Sequence, residues 1–132
     1  MPSILIVDDD ATNRAMYARL LREVGEIELA SEGGEALRLL AVRKYEVILL
    51  DLHMPGVDGL TVLNTLESRP GPNHDTPIYV ITADTTDQSR SQALGSGAIC
   101  YLTKPVPMAT LLAFVSATLK NSAARARISK KT

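Results

Sequence analysis

"VILLDLHMPGVDGL", residues 47–60, carries the plan of the chain in miniature. Four apolar residues, Val47 to Leu50, run unbroken into one carboxylate, Asp51, and a Met54-Pro55 pair and Gly56 follow. A short apolar run bounded by turn residues suits a strand covered on both faces, as in a parallel sheet. The next segment, "GLTVLNTLES", has helical spacing and is stopped by Arg69-Pro70, because the residue before a proline is pushed out of helical conformation. The unit is therefore one strand, one acid at its end and one helix.

On either side the same alternation recurs. Upstream, "SILIV" (residues 3–7) reads as a strand. "TNRAMYARLLREV" carries Met16, Tyr17, Leu20, Leu21 and Val24 on one helical face, and Gly25 ends it. "EIELA" (residues 26–30) alternates, as an edge strand permits, and "GEALRLLAVRK" is helical with Ala36, Leu37, Leu40 and Ala41 as its stripe. Downstream, "RPGPNHDTP" is a loop and "IYVIT" (residues 78–82) a fourth strand. "TTDQSRSQAL" opens with the capping-box spacing Thr85-x-x-Gln88 and offers only Ala93 and Leu94 for burial, which predicts a loosely held helix. "AICYLT" (residues 98–103) is a fifth strand, and Pro107 starts a last helix with Met108, Leu111, Leu112, Val115 and Leu119 on its buried face. Strands alternating with helices predict an α/β domain with a parallel sheet.

Composition bounds what such a domain does. At 132 residues the chain suits one domain with one core. The apolar-rich stretch "TLLAFVSATL" is too short to span a bilayer, and no leader with a cleavage site is read, so neither membrane nor secretion is expected. The single cysteine, Cys100, excludes an internal disulfide and fits a reducing, cytoplasmic setting. All 15 acids and 10 of the 14 Lys and Arg lie in residues 1–120, whereas "NSAARARISKKT", residues 121–132, carries the other four cations and no acid. The expectation is a domain over 1–120 followed by a basic tail or linker start over 121–132.

In open parallel sheets, ligands bind beyond the carboxyl ends of the strands. The polar residues stand there: Asp8, Asp9 and Asp10 after the first strand, Asp51 after the third, Thr82 at the end of the fourth and Lys104 after the fifth. Converging carboxylates repel one another, and a divalent cation relieves this; hard oxygen donors at a partly open site suit Mg²⁺. A carboxylate can act as nucleophile toward a phosphoryl group, giving an acyl phosphate. The spreading negative charge of that transfer needs counter-charge, which Mg²⁺ and the Lys104 ammonium supply, while a hydroxyl at Thr82 can donate to a phosphoryl oxygen. Singly, each has a plainer reading. Asp8–Asp10 suit a helix N-terminus, Asp51 a turn, Thr82 a strand-end cap and Lys104 a solvated loop. All four falling at strand carboxyl ends argues for one site.

On "ILIVDDD", "VILLDLHMPGVDGL", "YVITA" and "YLTKP" the chain resembles the receiver domains of two-component response regulators, over roughly residues 3–120. The resemblance implies a flavodoxin-like (βα)5 doubly wound sheet of strand order 2-1-3-4-5. It implies that Asp51 is the phospho-acceptor, that Asp9 holds Mg²⁺ directly with Asp8 mainly an outer ligand, and that the His53 backbone carbonyl completes the set with Asp51. Thr82 matches the switch hydroxyl, Lys104 the phosphate-binding lysine and Tyr101 the switch aromatic. His53 and Asp84 fall at positions tied to phosphate lifetime. The implied donor is a sensor histidine kinase or a histidine phosphotransfer protein, and the readout is a downstream protein target or effector domain, without direct nucleic-acid binding. Phosphorylation is expected to draw Thr82 inward, with Tyr101 following, and to remodel the surface of the fourth helix, fifth strand and fifth helix. Apart from promoting its own phosphorylation and dephosphorylation, such a domain is not an enzyme. The chain departs from the pattern at Ile99 and Cys100, where polar or acidic residues are common; Ile99 reads as contact surface or core.

Two other functions compete. "LIVDDDAT" fits the D-x-D-x-T start of haloacid-dehalogenase-like phosphatases, with Asp8 as nucleophile and Asp10 as acid/base. That family needs a late acid pair, yet no Asp or Glu follows Lys104, and "DLHMPGVDG" is left unexplained. A phosphorylation-independent interaction module would usually lack one of the key residues, and none is missing. A zinc site at His53 is poor, because His74 is remote and Cys100 lies in a strand region.

Overall fold

Successive side chains of a strand point to opposite faces, so a strand apolar throughout must be covered twice. The computed structural model, which describes the backbone of residues 1–131 and the side chains of 1–122, does this. Its elements are β1 (Ser3–Val7), α1 (Ala11–Leu21), β2 (Glu26–Ala30), α2 (Gly33–Val42), β3 (Val47–Leu50), α3 (Gly59–Ser68), β4 (Ile78–Thr82), α4 (Asp87–Gly95), β5 (Cys100–Thr103) and α5 (Met108–Lys131). The strands form a parallel sheet in the order β2-β1-β3-β4-β5. Leu5, Val7, Ile48, Leu50 and Val80 pack under α2, α3 and α4 with Ala36, Leu40, Val62, Leu63 and Ala93. Ile4, Ile6, Val47, Leu49, Tyr79 and Ile81 pack under α1 and α5 with Tyr17, Leu21, Leu111 and Val115. This is the doubly wound, flavodoxin-like arrangement expected, with the alternating strand β2 at an edge.

Several expectations shift in detail. Met16 is exposed, because α1 turns Tyr17 and Leu21 to the sheet instead. Ala41 also faces solvent; α2 buries Gly33, Ala36 and Leu40. The capping box at Thr85 and Gln88 is replaced by a cap one residue later: the Thr86 hydroxyl accepts the Ser89 amide at 3.3 Å. The fifth strand begins at Cys100 rather than Ala98, since Gly97 turns the chain with φ +105°. Among the described residues of α4 only Ala93 is buried, and Leu94 is 38% exposed. Helix α5 runs on to Lys131, through the segment read as a tail; its basic side chains lie outside the described residues.

The loop before β4 is held by Asn73, which is 1% exposed. Its amide donates to the Leu40 and Arg43 carbonyls, and its side-chain oxygen accepts from the Tyr45 amide and the Thr76 hydroxyl. A buried side-chain amide with all these groups paired stitches α2, β3 and β4 together at the end of the sheet remote from the acids.

Candidate functional site

The sheet ladder itself places the acids. The Asp8 amide bonds Ala30 O at 3.2 Å, the Asp51 amide bonds Val7 O at 3.0 Å, and the Lys104 amide bonds Thr82 O at 2.8 Å. Each is the next rung beyond its strand, so the three side chains emerge together at the carboxyl edge. Asp8 is 2% and Asp51 7% exposed. Lys104 Nζ lies between them, donating to Asp8 Oδ2 and to Asp51 Oδ2, each at 2.9 Å. Burial works against its charge, but the hydrogen bonds and charges of both carboxylates outweigh it and hold the ammonium above the ordinary lysine range. Lys104 and Pro105 are joined by a cis peptide bond.

Asp9 is exposed, and carboxylate oxygens of Asp8, Asp9 and Asp51 lie within 4.8 Å of one another. Asp10 stands apart from this cluster. Its Oδ1 accepts the Thr12 amide at 2.8 Å and the Asn13 amide at 3.3 Å, capping α1. The two sequence readings of the acid run are thus divided between residues, the cluster taking Asp8 and Asp9 and the cap Asp10. Asp8 is fixed by the Asp10 amide at 2.9 Å and by Arg14, whose guanidinium donates to Asp8 O at 2.6 Å; Asn13 Nδ2 stands 3.5 Å from Asp8 Oδ2.

Thr82, 1% exposed, accepts the Asp84 amide on its Oγ1 at 3.3 Å. Tyr101 is 7% exposed, and its hydroxyl donates to Asp84 O at 2.7 Å. The ring is therefore buried, with its hydroxyl tied to the chain between β4 and α4. Burial, and then the nearby Asp84 charge, raise its hydroxyl above the usual tyrosine value. The Arg90 guanidinium lies 5.9 Å from the ring centre.

His53 is exposed; its amide donates to Asp51 Oδ1 at 3.3 Å and its Nε2 lies 2.6 Å from Asp84 Oδ2. A carboxylate only accepts, so Nε2 carries the proton. The Ser89 hydroxyl, then His53 and Thr86, hold the Asp84 carboxyl well below the usual carboxylate range. The grouping of metal-ligating side chains found among the described residues excludes His53, His74 and Cys100. Ile99 is 54% exposed, on the surface and not in the core.

Sequence reasoning missed Asn13, Arg14, Ser89 and Gly59. A Cβ on Gly59 would stand 2.2 Å from Asp51 O and 2.7 Å from Leu52 Cα. Asp58 caps α3 through the Thr61 amide at 2.9 Å, so the helix begins hard against the backbone of Asp51 and Leu52. The signal was present as Asp58-Gly59, but a turn explains that pair equally well.

Three hard carboxylate oxygens, one open to water and two partly neutralised by an ammonium, fit a small divalent cation such as Mg²⁺ better than a soft metal. When bound, the ion neutralises phosphoryl oxygens and helps to orient them.

Comparison with known proteins agrees with this geometry. The family model for the response regulator receiver domain matches residues 4–116. The chain is 37% identical over 132 residues to the transcriptional regulatory protein PrrA of Mycobacterium leprae, covering 99% of this chain and 55% of that protein. It is 42% identical over 113 residues to the response regulator PleD of Caulobacter vibrioides, covering 85% of this chain and 25% of that one. It thus spans about half the length of PrrA, and less of PleD. Among solved structures, a CheY-like receiver domain protein from Methanospirillum hungatei superposes with a TM-score of 0.86 at 25% identity, over 95% of this chain and 98% of that one. A two-component response regulator from Clostridium difficile does so with a TM-score of 0.83 at 32% identity, over 91% and 97%.

Proposed function

Because the chain belongs to the response regulator receiver family, the phospho-acceptor modules of two-component signalling, we propose that Asp51 is its acceptor and that Asp8, Asp9, Thr82 and Lys104 serve the transfer. The observation that carries the assignment is the Lys104 ammonium bonded at 2.9 Å to both Asp8 and Asp51. It marks Asp51 as a buried carboxylate with a counter-charge in place and a cation cluster beside it.

An Asp51 oxygen attacks phosphorus as the P–N bond of a donor phosphohistidine breaks, and the imidazole leaves. Lys104 stays charged and passes from the carboxylate to a phosphoryl oxygen. The Thr82 hydroxyl, keeping its proton, donates a hydrogen bond to another phosphoryl oxygen. Asp9, Asp51 and the His53 carbonyl would hold Mg²⁺, with Asp8 assisting mainly from the outer shell, and the ion would neutralise phosphoryl charge. Attack of water on phosphorus later returns Asp51 and releases phosphate; His53 and Asp84, which meet across the acceptor loop, set how long this takes. The domain turns over no separate substrate. A sensor histidine kinase or histidine phosphotransfer protein is the donor, a protein target or effector domain the recipient, and the cytoplasm the location. No described helix is long and apolar enough to cross a membrane. The phosphatase reading loses support from Asp10, its acid/base, which is engaged in capping α1.

The test is uptake of a phosphoryl group from acetyl phosphate. It is expected to require Mg²⁺, to be blocked by a chelator, and to be released by hydroxylamine, as an acyl phosphate is. A hydroxylamine-stable label would point to a hydroxyl acceptor and reject the proposal.

A further inference from the structure

Asp84 is joined to more of the site than any role in phosphate lifetime requires. Its carboxylate takes His53 Nε2 at 2.6 Å from the acceptor loop, and the Ser89 hydroxyl at 2.6 Å, the Thr86 amide at 2.9 Å and the Thr86 hydroxyl at 2.7 Å from the start of α4. Its amide bonds Thr82 Oγ1 at 3.3 Å and its carbonyl receives the Tyr101 hydroxyl at 2.7 Å. One residue therefore contacts the loop that follows Asp51, the hydroxyl of β4, the first turn of α4 and the aromatic of β5.

Besides Asp84, the start of α4 has the Arg90 guanidinium, 5.9 Å from the Tyr101 ring centre, to hold it. Ala93, its buried residue, lies near the far end. Thr86 caps the helix, and Thr86 is itself oriented by Asp84. A helix with a thin apolar face and a polar anchor at one end opens locally at low cost, and its position follows the anchor. The anchor is tied to His53, whose own amide donates to the Asp51 carboxylate at 3.3 Å.

We infer that the His53–Asp84–Ser89 chain is a second coupling route, parallel to Thr82 and Tyr101, by which the occupancy of Asp51 positions the first turn of α4. The inference rests on Asp51 being the acceptor. When the loop closes on a phosphoryl group, the His53 ring moves and Asp84 moves with it, carrying Thr86 and Ser89. The Thr82 hydroxyl is not needed for that displacement. Asp84 and His53 are positioning residues here; neither is asked to transfer a proton.

The experiment is amide hydrogen exchange on the full chain with and without beryllofluoride, a phosphoryl mimic. Fluorine NMR counts the bound complex, so that every variant is compared at equal occupancy. In the resting state, Asp84→Ala is expected to raise exchange in residues 87–91 several-fold and to leave β1 and β3 unchanged. With beryllofluoride, Ser89→Ala and Thr82→Ala should each retain part of the α4 response, and the double variant should lose it. A double variant that responds no less than Thr82→Ala alone overturns the second route. Absence of any fluorine signal from the wild-type complex would overturn the acceptor assignment instead, so the two failures are told apart.

Discussion

Lys104 illustrates what a single residue does here. It lies between two carboxylates that are 2% and 7% exposed, and removing it leaves both charges side by side in a poorly solvated place. Lys104→Ala is expected to cost on the order of 2–3 kcal/mol in metal-free urea unfolding, with part regained on adding Mg²⁺. A loss unchanged by Mg²⁺ would mean that lysine and metal do not share these acids. The sign of the pH dependence follows from the raised folded-state value. The lysine's stabilisation is complete below its ordinary range and is lost only as strongly alkaline solution titrates it, so the variant's deficit is flat through neutral pH. Asp9, exposed and bonded less tightly into the fold than Asp8, can be removed with little structural effect. Asp9→Ala is expected to abolish Mg²⁺ binding and Asp8→Ala to weaken it, read by titration calorimetry; equal affinity in Asp9→Ala would contradict direct ligation. These residues were legible in the sequence because each ends a strand. Asn13, Arg14 and Ser89 were not, because helix-surface polar residues bear no mark of which acid they meet.

The elements show where sequence patterns stop. β3, β4 and α3 were readable to within a residue, since apolar runs and a proline stop bound them. The cap of α4 was misplaced by one residue, because Thr85 and Thr86 are equal candidates until Asp84 fixes the second. The closeness of α3 to the acceptor loop was invisible, since no pattern records a distance between a glycine and a carbonyl. Gly59→Ala tests it. A methyl 2.2 Å from Asp51 O has no room, so α3 or the acceptor loop must shift. The expected cost is about 1–3 kcal/mol in denaturant unfolding, together with slower phosphoryl uptake. Full stability and full uptake in Gly59→Ala would mean that the two backbones are not in contact in solution.

At the scale of the molecule, strand order follows from the family resemblance, whereas periodicity alone establishes only the alternation of strands and helices. The sheet brings residues 8, 51, 82 and 104 to one edge while Asn73 stitches the opposite end, and α4 buries only Ala93 among its described residues. The backbone of α5 continues past residue 120 as far as Lys131. Every role assigned to Asp8, Asp9, Thr82 and Lys104 depends on Asp51 receiving the phosphoryl group, and peptide mapping of the acetyl phosphate product tests this directly. One phosphoryl group is expected, on the peptide containing Asp51, and none at any position in Asp51→Asn. A label that persists at the wild-type rate in Asp51→Asn, or that maps to Asp8 or Asp9, would show that Asp51 is not the acceptor.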